Sequence, residues 1–264
     1  MSILVCPLCK ASLTREGGSL ICSGERRHCF DIAKSGYVTL TRAPGTSGDD
    51  RDMVRARTAF LDKGHYRPFA DALAKVLDGA SVVIDAGCGE GYYSNIIAEH
   101  LHTVYGFDLS KHACDKAAKR AKSTGMRAFF GVSSVFELPV ADASADAVVS
   151  LFAPIAEEEF SRVLKDDGLL IVGAAGKRHL IELKQAVYAE AYENEGRRDL
   201  PSGFREVAHE NVTYTFTCDD VKSLFMMTPY AFKTSKQDMA KLDAIERLEI
   251  TADFDIFIYK KVVR

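Results

Sequence analysis

The sequence lacks long hydrophobic runs and any large excess of positive charge. No stretch of about 18 consecutive apolar residues occurs, which is the length that a membrane-spanning helix needs. Residues 1–20 contain no apolar run behind a basic start, which is the pattern of a secretory signal. We therefore expect a soluble, cytoplasmic protein. The formal net charge of −3 by itself disfavours a nucleic-acid partner, because phosphate binding uses clustered Lys and Arg.

The sequence also lacks the scattered cysteines of a secreted, disulfide-bonded domain. It has 7 cysteines, and four of them lie between Cys6 and Cys29. Without a secretory signal, such a cluster is more typical of a metal site than of disulfides. With 264 residues, of which 47% are hydrophobic, the chain can bury a full core. We expect one ordinary domain with a small metal-binding appendage.

The charge is distributed unevenly along the chain. Residues 1–70 carry 11 Lys and Arg against 7 Asp and Glu, so the remaining residues must carry a balance of −7. The N-terminal part is therefore the basic part. This imbalance is compatible with an anionic partner and equally with an ordinary solvated face.

Periodicity and turn residues divide the chain into three segments. Residues 1–40 alternate short apolar pieces with turn residues, as a small metal-stapled β-module does. Residues 41–75 are predicted to be a linker and a connecting helix. Within them the Gly- and Pro-rich stretch RAPGTSGDDRD, from Arg42 to Asp52, is predicted to be a linker or mobile loop.

Residues 76–264 are predicted to form the main domain. Strand-like and helix-like segments alternate there, which indicates an α/β fold with a parallel sheet flanked by helices. Two β-rich pieces near the end, NVTYTFT and LEITADFDIFIYKK, predict a final antiparallel pairing.

A glycine-rich loop is the strongest chemical signal of this domain. In VVIDAGCGEGYY a buried strand runs into a turn with the pattern Asp85-x-Gly87-x-Gly89-x-Gly91, where glycines let the backbone approach a ligand. Asp108 ends the next predicted strand, where its carboxylate can accept hydrogen bonds from both ribose hydroxyls of an adenosine. An acid at the strand end resembles motif I of the class I methyltransferases, which have a Rossmann-like fold. We therefore predict an S-adenosylmethionine site, with a dehydrogenase or a cofactor-free fold as the alternatives.

The N-terminal cysteines have the spacing of a structural zinc site. Cys6 and Cys9 form a Cys-x-x-Cys knuckle, and Cys22 with His28 or Cys29 supplies the second half of a tetrahedron. The spacing from Cys22 leaves both candidates for the fourth ligand open. Reduced free cysteines are the alternative, which the small core of so short a module disfavours.

Five segments taken in order carry a family resemblance: CPLC, ICSGERRHCFDIAKSGYVTL, ARTAFLDKGHY, DAGCGEGYYS and GKRHLIELK. They resemble the bacterial 23S ribosomal RNA guanine-N1 methyltransferases, which act on a hairpin of domain II near the macrolide site. The resemblance places the fourth zinc ligand on His28. The gap between Cys22 and His28 is longer than usual in that family, which keeps Cys29 open.

The resemblance also implies the cofactor contacts. It places them on Tyr66, on Gly89 and Glu90 of the loop, on Asp108 and on His179. Ser133 and Ser134 occupy the place where methyltransferases of this class hold the adenine edge. The complete candidate set is Tyr66, Asp85, Gly87, Gly89, Glu90, Gly91, Asp108, Leu109, Ser133, Ser134 and His179.

The segment SLFAP is predicted to face the target base. It stands where amino-methylating relatives present an Asn-Pro-Pro-aromatic loop, and it contains no carboxylate, so we assign no general base to it. Phe152 and Pro154 are the base-positioning candidates, with the Phe152 ring available for stacking on an unpaired or flipped guanine.

The expected partner is a 23S rRNA hairpin, with the basic zinc module as the predicted docking site through Arg15, Arg26, Arg27 and Lys34. Docking on a folded RNA is compatible with a homodimer, and one subfamily is associated with macrolide resistance. A small-molecule methyltransferase is the alternative function, and it would have little use for a basic metal module. A non-catalytic RNA-binding relative is disfavoured by the intact glycine loop.

Overall fold

The computed structural model describes residues 3–41, 50–100, 103–196, 200–232 and 234–262. The strands are β1 (Leu13–Glu16), β2 (Ser19–Cys22), β3 (Cys29–Asp31), β4 (Val38–Thr39), β5 (Val82–Ala86), β6 (Thr103–Asp108), β7 (Ala128–Val132), β8 (Ala145–Leu151), β9 (Leu164–Ala175), β10 (Phe204–Cys218) and β11 (Leu248–Lys261). The α-helices are α1 (Arg51–Leu61), α2 (Arg67–Val76), α3 (Tyr92–His100), α4 (Lys111–Thr124), α5 (Glu157–Val163), α6 (Ile181–Val187), α7 (Val221–Met226) and α8 (Lys236–Ala240). Two 3₁₀ turns span Pro229–Phe232 and Lys241–Ala244.

Eight strands form one mixed sheet in the order β10-β11-β9-β8-β5-β6-β7-β4. The strands from β9 to β4 run parallel to one another, and β10 and β11 add an antiparallel pair at one edge. The predicted α/β fold and the predicted final antiparallel pairing are both confirmed. The central strand β5 is almost entirely buried, because helices cover both faces of a parallel sheet.

The N-terminal module has its own three-stranded antiparallel sheet, β1-β2-β3, but it shares a core with the main domain. Leu4 forms an isolated bridge with Val140, and β4 pairs in parallel with β7. Leu13 and Leu40 are buried in the same apolar cluster as Phe107 of β6. The module is therefore attached to the sheet by packing and by strand pairing.

The predicted linker is only partly described by the structure, since residues 42–49 lie outside the described ranges. Arg51 and Asp52, which were expected in the linker, already form the first turn of α1. The reason is an N-cap: the Asp50 carboxylate accepts the backbone N–H groups of Asp52 and Met53, both at 2.9 Å. Among the described residues, every helix is too short or too polar to cross a lipid bilayer.

Candidate functional site

Four side chains of the N-terminal module converge on one point. Cys6 and Cys9 flank a turn, Cys22 ends β2, and His28 precedes β3. Nδ1 of His28 lies 3.4 Å from Sγ of Cys6 and 3.5 Å from Sγ of both Cys9 and Cys22. The Sγ atoms of Cys9 and Cys22 are 3.8 Å apart.

These distances fit one tetrahedral zinc ion. Zn–S bonds of about 2.3 Å and a Zn–N bond of about 2.0 Å would place sulfur and nitrogen about 3.5 Å apart and two sulfurs about 3.8 Å apart. All four donor atoms lie within 4.8 Å of one another. The donor set of three thiolates and one imidazole is that of a structural zinc site without an open position.

Cys29 does not join this group. Its side chain is exposed, and its Sγ lies 4.0 Å from a carboxylate oxygen of Asp31. Consecutive residues of an extended chain point to opposite sides, so His28 and Cys29 cannot both face the same centre. The structure therefore brings His28, and not Cys29, to the three other thiols.

Gly24 completes the surroundings of the thiols and was not anticipated from the sequence. A Cβ atom at this position would lie 3.1 Å from Sγ of Cys9 and 3.7 Å from Sγ of Cys22. A side chain would push against the metal ligands. The loop between Cys22 and His28 thus folds over the donor group, although only its length was visible in the sequence.

The glycine-rich loop joins β5 to α3 with three left-handed glycines, Gly87, Gly89 and Gly91. A Cβ at Gly87 would lie 2.7 Å from Cβ of Ala153, and one at Gly91 would lie 2.6 Å from Cβ of Ala117. Gly89 is different, because its nearest neighbour would be the guanidinium of Arg57 at 3.7 Å. The first and third glycines are required by packing, whereas the middle one keeps an open face for a ligand.

Asp108 lies beside this open glycine. One oxygen of its carboxylate accepts the N–H of Gly89 at 3.0 Å, and the other accepts the N–H of Ser110 at 2.7 Å. Leu109, which lies between Asp108 and Ser110 in the sequence, is half-buried, and Ser110 caps α4. This places a carboxylate at the carboxyl end of β6, where adenosine ribose binds in sheets of this topology.

Asp85 lies in β5, two residues before Gly87. Its side chain is buried, and the hydroxyl of Ser94 donates to it at 2.5 Å. Burial raises the pKa of Asp85 to about 7, and the negative charge of Asp108 adds to that shift. The bond to Ser94 connects the end of β5 to α3, which follows the loop.

The Glu90 side chain forms a buried ion pair. Its carboxylate is buried and accepts a hydrogen bond of 2.6 Å from Arg120, which also bonds to Asp62 at 2.7 Å. Burial raises the pKa of Glu90 although Arg120 opposes the shift. The backbone of Glu90, a predicted cofactor residue, lies in the loop. Through Arg120, its side chain connects the loop to α4 and to Asp62 at the end of α1.

Tyr66 and His179, which are far apart in the sequence, lie side by side. The Tyr66 hydroxyl is 3.5 Å from Nε2 of His179, and both rings pack on Phe254 with centroid distances of 4.9 and 4.4 Å. Nδ1 of His179 accepts the N–H of Asp253 at 3.2 Å. Burial lowers the pKa of His179 to about 4, so the ring is neutral at pH 7.

Phe254 was missed by the sequence reasoning. It stacks on Phe69 at 4.2 Å, and its centroid is 5.9 Å from that of Phe152. It therefore links Tyr66 and His179 to the predicted base-facing segment. The only signal in the sequence was its apolar place in β11, which it shares with many core residues.

Ser133 and Ser134 follow β7 next to Asp108. The N–H of Ser133 donates to the carbonyl of Asp108 at 3.1 Å, and its hydroxyl donates to the carbonyl of Glu137 at 3.0 Å. The hydroxyl of Ser134 accepts the N–H of Phe136 at 3.2 Å. Both hydroxyls thus hold the turn after β7, and the backbone of Ser133 ties this turn to the end of β6.

Phe152 follows β8 directly and has an unusual backbone. Its φ is 54°, a left-handed value that is rare outside glycine, and the residue is 54% exposed. The hydroxyl of Ser150 lies 3.5 Å from the carbonyls of both Ala153 and Pro154, which closes the turn. An exposed aromatic ring in a strained turn at the carboxyl end of the sheet is a feature of functional sites.

Two family descriptions match the chain. Residues 83–168 match the family described as "Methyltransferase domain", and residues 4–42 match a zinc-ribbon family described as "RlmA, N-terminal". The first match covers the loop at Gly89 together with Asp108. The cofactor of this domain is S-adenosylmethionine, and the second match agrees with the cluster of zinc donors.

Individual relatives agree with this assignment, and a solved structure agrees with the fold. The chain is 32% identical over 282 aligned positions to the Bacillus subtilis protein named "Putative 23S rRNA (guanine-N(1)-)-methyltransferase YxjB", covering 98% of each chain. It is 31% identical to the "23S rRNA (guanine(748)-N(1))-methyltransferase" of Streptomyces fradiae, covering 96% of this chain and 95% of that one. The fold resembles that of the solved YcgJ protein from Bacillus subtilis, with a TM-score of 0.52 at 15% identity over 76% of this chain and 100% of that one. The chain therefore belongs to the family of 23S rRNA (guanine-N1)-methyltransferases.

Proposed function

We propose that this protein transfers a methyl group from S-adenosylmethionine to N1 of a guanine in a hairpin of 23S rRNA. The observation that carries the proposal is the position of the zinc module. Its strand β4 extends the main sheet beside β7, on the half of the sheet that holds Asp108 and Ser133. A binding module for RNA would there lie next to the cofactor cleft.

The cofactor supplies an electrophilic methyl group on a sulfonium, and the chain supplies binding and orientation. Asp108 would accept the ribose hydroxyls, the open backbone at Gly89 would lie against the cofactor, and the turn at Ser133 and Ser134 would border the adenine. Tyr66 and neutral His179 would line the opposite side. For attack by a ring nitrogen no covalent nucleophile is needed, so positioning accounts for much of the rate.

The target guanine would be held by the segment after β8. The exposed ring of Phe152 offers a stacking surface, and Pro154 with the carbonyls around it borders the same turn. Guanine N1 carries a proton, which would pass to solvent as the new N–CH₃ bond forms and S-adenosylhomocysteine leaves. An unpaired or flipped guanine fits this arrangement, since N1 is otherwise engaged in base pairing.

The zinc module would dock on the RNA through its basic side chains. Arg15 and Lys34 lie at the side of the module that faces α4, where both line one groove. Arg27 is 66% exposed although it pairs with Glu16 at 3.0 Å, and such a surface pair is weak enough to exchange for a phosphate. Arg26 is exposed next to it. With ribosomal RNA as the substrate, the site of action is cytoplasmic, and a homodimer is compatible with docking on a folded RNA.

The test is transfer of radiolabelled methyl from S-adenosylmethionine to 23S rRNA transcripts. We expect 1-methylguanosine by mass spectrometry and a primer-extension stop in the domain II hairpin. The position of that stop identifies the guanine and the subfamily. If no RNA is labelled while the cofactor still binds, the proposal is wrong and a small-molecule acceptor takes its place.

A further inference from the structure

A groove of about 490 Å³ runs between α1 and α4. One wall is a single face of α1, formed by residues 51, 54, 55 and 58, and the other is a single face of α4, formed by residues 112, 115, 116 and 119. Both sets follow the spacing i, i+3, i+4, i+7, which places their members on one side of a helix. The two faces oppose each other along the length of the groove.

The walls of this groove are strongly basic. The charged side chains that line it are Arg51, Arg55, Lys116 and Lys119, and among the described residues Asp115 is the acidic one that lines it. This is a local excess of positive charge on a chain whose net charge is −3. Such a concentration of cations creates a positive potential that attracts phosphate groups.

The ion pairs at these walls leave the cations available. Arg55 lies 3.5 Å from Asp52, with side chains 74% and 88% exposed, and Lys119 lies 2.6 Å from Asp115, with side chains 62% and 37% exposed. Pairs this exposed contribute about 1 kcal/mol or less, because water screens them. A phosphate can therefore replace the carboxylate at little cost.

A second groove, of about 370 Å³, lies on the other side of α4. The charged side chains among the described residues that line it are Arg15, Lys34 and Lys122, all of them basic. Arg15 and Lys34 belong to the zinc module. Helix α4 thus carries basic grooves on both sides, and the second groove reaches the zinc module through Arg15 and Lys34.

Both helices that form this groove also reach the predicted cofactor loop. His112 in its wall lies four positions after Asp108, at the start of α4. On α1, the guanidinium of Arg57 lies beside Gly89, at 3.7 Å from the place of a Cβ. An RNA strand laid along α4 would accordingly run from the zinc module towards the loop that holds the cofactor.

We propose that the two basic grooves along α4 form the track for the sugar-phosphate backbone of the RNA substrate, with the groove between α1 and α4 next to the cofactor cleft. This inference rests on the proposed function for the identity of the RNA. It assigns contacts with the RNA backbone to four side chains outside the zinc module: Arg51, Arg55, Lys116 and Lys119. Lys and Arg in this arrangement position the nucleic acid without reading its sequence.

The test is RNA binding by two double variants, one for each wall: Lys116→Ala with Lys119→Ala, and Arg51→Ala with Arg55→Ala. Alanine has the highest helix propensity, so both helices are retained. Affinity for the 23S rRNA hairpin is measured by fluorescence anisotropy in a salt series, with S-adenosylhomocysteine present. Each double variant should bind about tenfold more weakly, and its salt slope should decrease by about 1 to 2.

Two controls are matched to the first variant. Lys75→Ala with Lys260→Ala removes two cations, one in the last turn of α2 and one level with the start of β5, whereas Asp108 ends β6. This variant should leave the affinity and the salt slope unchanged. Lys116→Arg with Lys119→Arg keeps both charges and should restore binding. If both wall variants bind like the Lys75 and Lys260 control, the proposed track is wrong.

The same experiments separate this inference from the proposed function. A protein that binds the hairpin through the α4 walls but methylates no RNA contradicts the proposed reaction and supports the track. A protein that methylates the hairpin normally in both wall variants, with unchanged salt dependence, supports the reaction and overturns the track. Weaker binding to assembled ribosomal subunits with unchanged binding to naked rRNA would assign the grooves to a ribosomal protein, which also overturns the track.

Discussion

The residues of the zinc site lie close together in the sequence, whereas those of the predicted cofactor site lie far apart. The four zinc donors come from a stretch that begins at Cys6 and ends at His28. The predicted cofactor residues come from distant parts of the chain: Asp108 lies beside the loop at Gly89, and Tyr66 and His179 both pack on Phe254. A local site can be deduced from spacing, whereas a dispersed site depends on the order of the strands.

The two regions also differ in what holds them together. The module has little apolar core of its own, and its buried leucines join the cluster around Phe107 of the main domain. The cofactor loop is instead fixed by close packing, since Gly87 and Gly91 leave no room for a Cβ. Metal binding should therefore dominate the stability of the zinc module, and steric fit should dominate the stability of the cofactor loop.

Loss of a zinc ligand should give the largest effect. Zinc binding supplies folding free energy on the order of 10 kcal/mol in small zinc modules. We expect Cys22→Ser to lose its zinc, measured by elemental analysis, and its N-terminal module to become sensitive to protease. Binding of S-adenosylhomocysteine should change by only about two- to threefold, less than the loss of one hydrogen bond, because the residues that hold the loop at Gly89, namely Asp108, Ala117 and Ala153, belong to the main domain.

The exposed thiol provides the control for this variant. Cys29→Ser should keep the full zinc content, because Sγ of Cys29 lies outside the donor group. The comparison between the two regions fails if Cys22→Ser abolishes cofactor binding as well, or if Cys29→Ser loses the metal.

A methyl group added to the cofactor loop should give the next largest effect. Gly91→Ala puts a Cβ 2.6 Å from Cβ of Ala117 at a φ of 77°. The left-handed backbone costs about 1 to 2 kcal/mol and the overpacking about 1 to 3 kcal/mol, so unfolding in urea should show a loss of about 3 kcal/mol.

Gly79 separates the backbone strain from the overpacking. Its φ is 84°, but nothing lies within 4 Å of the place of a Cβ. Gly79→Ala should therefore cost only the backbone strain, about 1 kcal/mol. Equal losses in the two variants would show that steric fit does not hold the loop.

Removal of the Asp108 charge should weaken the cofactor without affecting the metal. Hydrogen bonds to a charged group contribute about 1.5 to 3 kcal/mol, so Asp108→Asn should raise the Kd for S-adenosylhomocysteine by about 30-fold in calorimetry. The zinc content should stay the same. An unchanged Kd would place the ribose elsewhere.

The two regions should respond to pH in opposite directions. Acid protonates the zinc ligands and weakens the module. The buried carboxyl of Asp85 has its pKa raised to about 7, so the folded state retains a proton that the unfolded state loses near pH 4. Its contribution to stability is therefore greatest at low pH and decreases as the pH rises towards and through 7.

The measurement is the difference in unfolding free energy between the unmodified protein and Asp85→Asn at several pH values. That difference should fall by roughly 2 kcal/mol from pH 5 to pH 7, because one proton is linked to unfolding over this range. Zinc ligands titrate alike in both proteins and cancel in the difference. A difference that stays constant with pH would mean that Asp85 is ionised throughout.

Much of the fold was predictable because its signals are local. The alternation of strands and helices, the final antiparallel pair, the glycine loop and the Cys-x-x-Cys knuckle each occupy a short stretch of sequence. The start of α1 was misplaced by two residues because the cap at Asp50 resembles the polar linker before it. The ion pair of Glu90 with Arg120, which also binds Asp62, was not predictable, because these residues come from separate helices whose packing no short stretch of sequence specifies.

The sequence by itself determined the fold class, the cofactor loop and the three cysteines of the zinc site, since each depends on neighbours along the chain. Only the tertiary structure brought His28 rather than Cys29 to the thiols, because the extended backbone directs one of two adjacent side chains inward. Only the tertiary structure joined Tyr66 to His179 and set the basic faces of α1 and α4 opposite each other. These contacts depend on how the sheet and its helices pack, which no short stretch of sequence specifies.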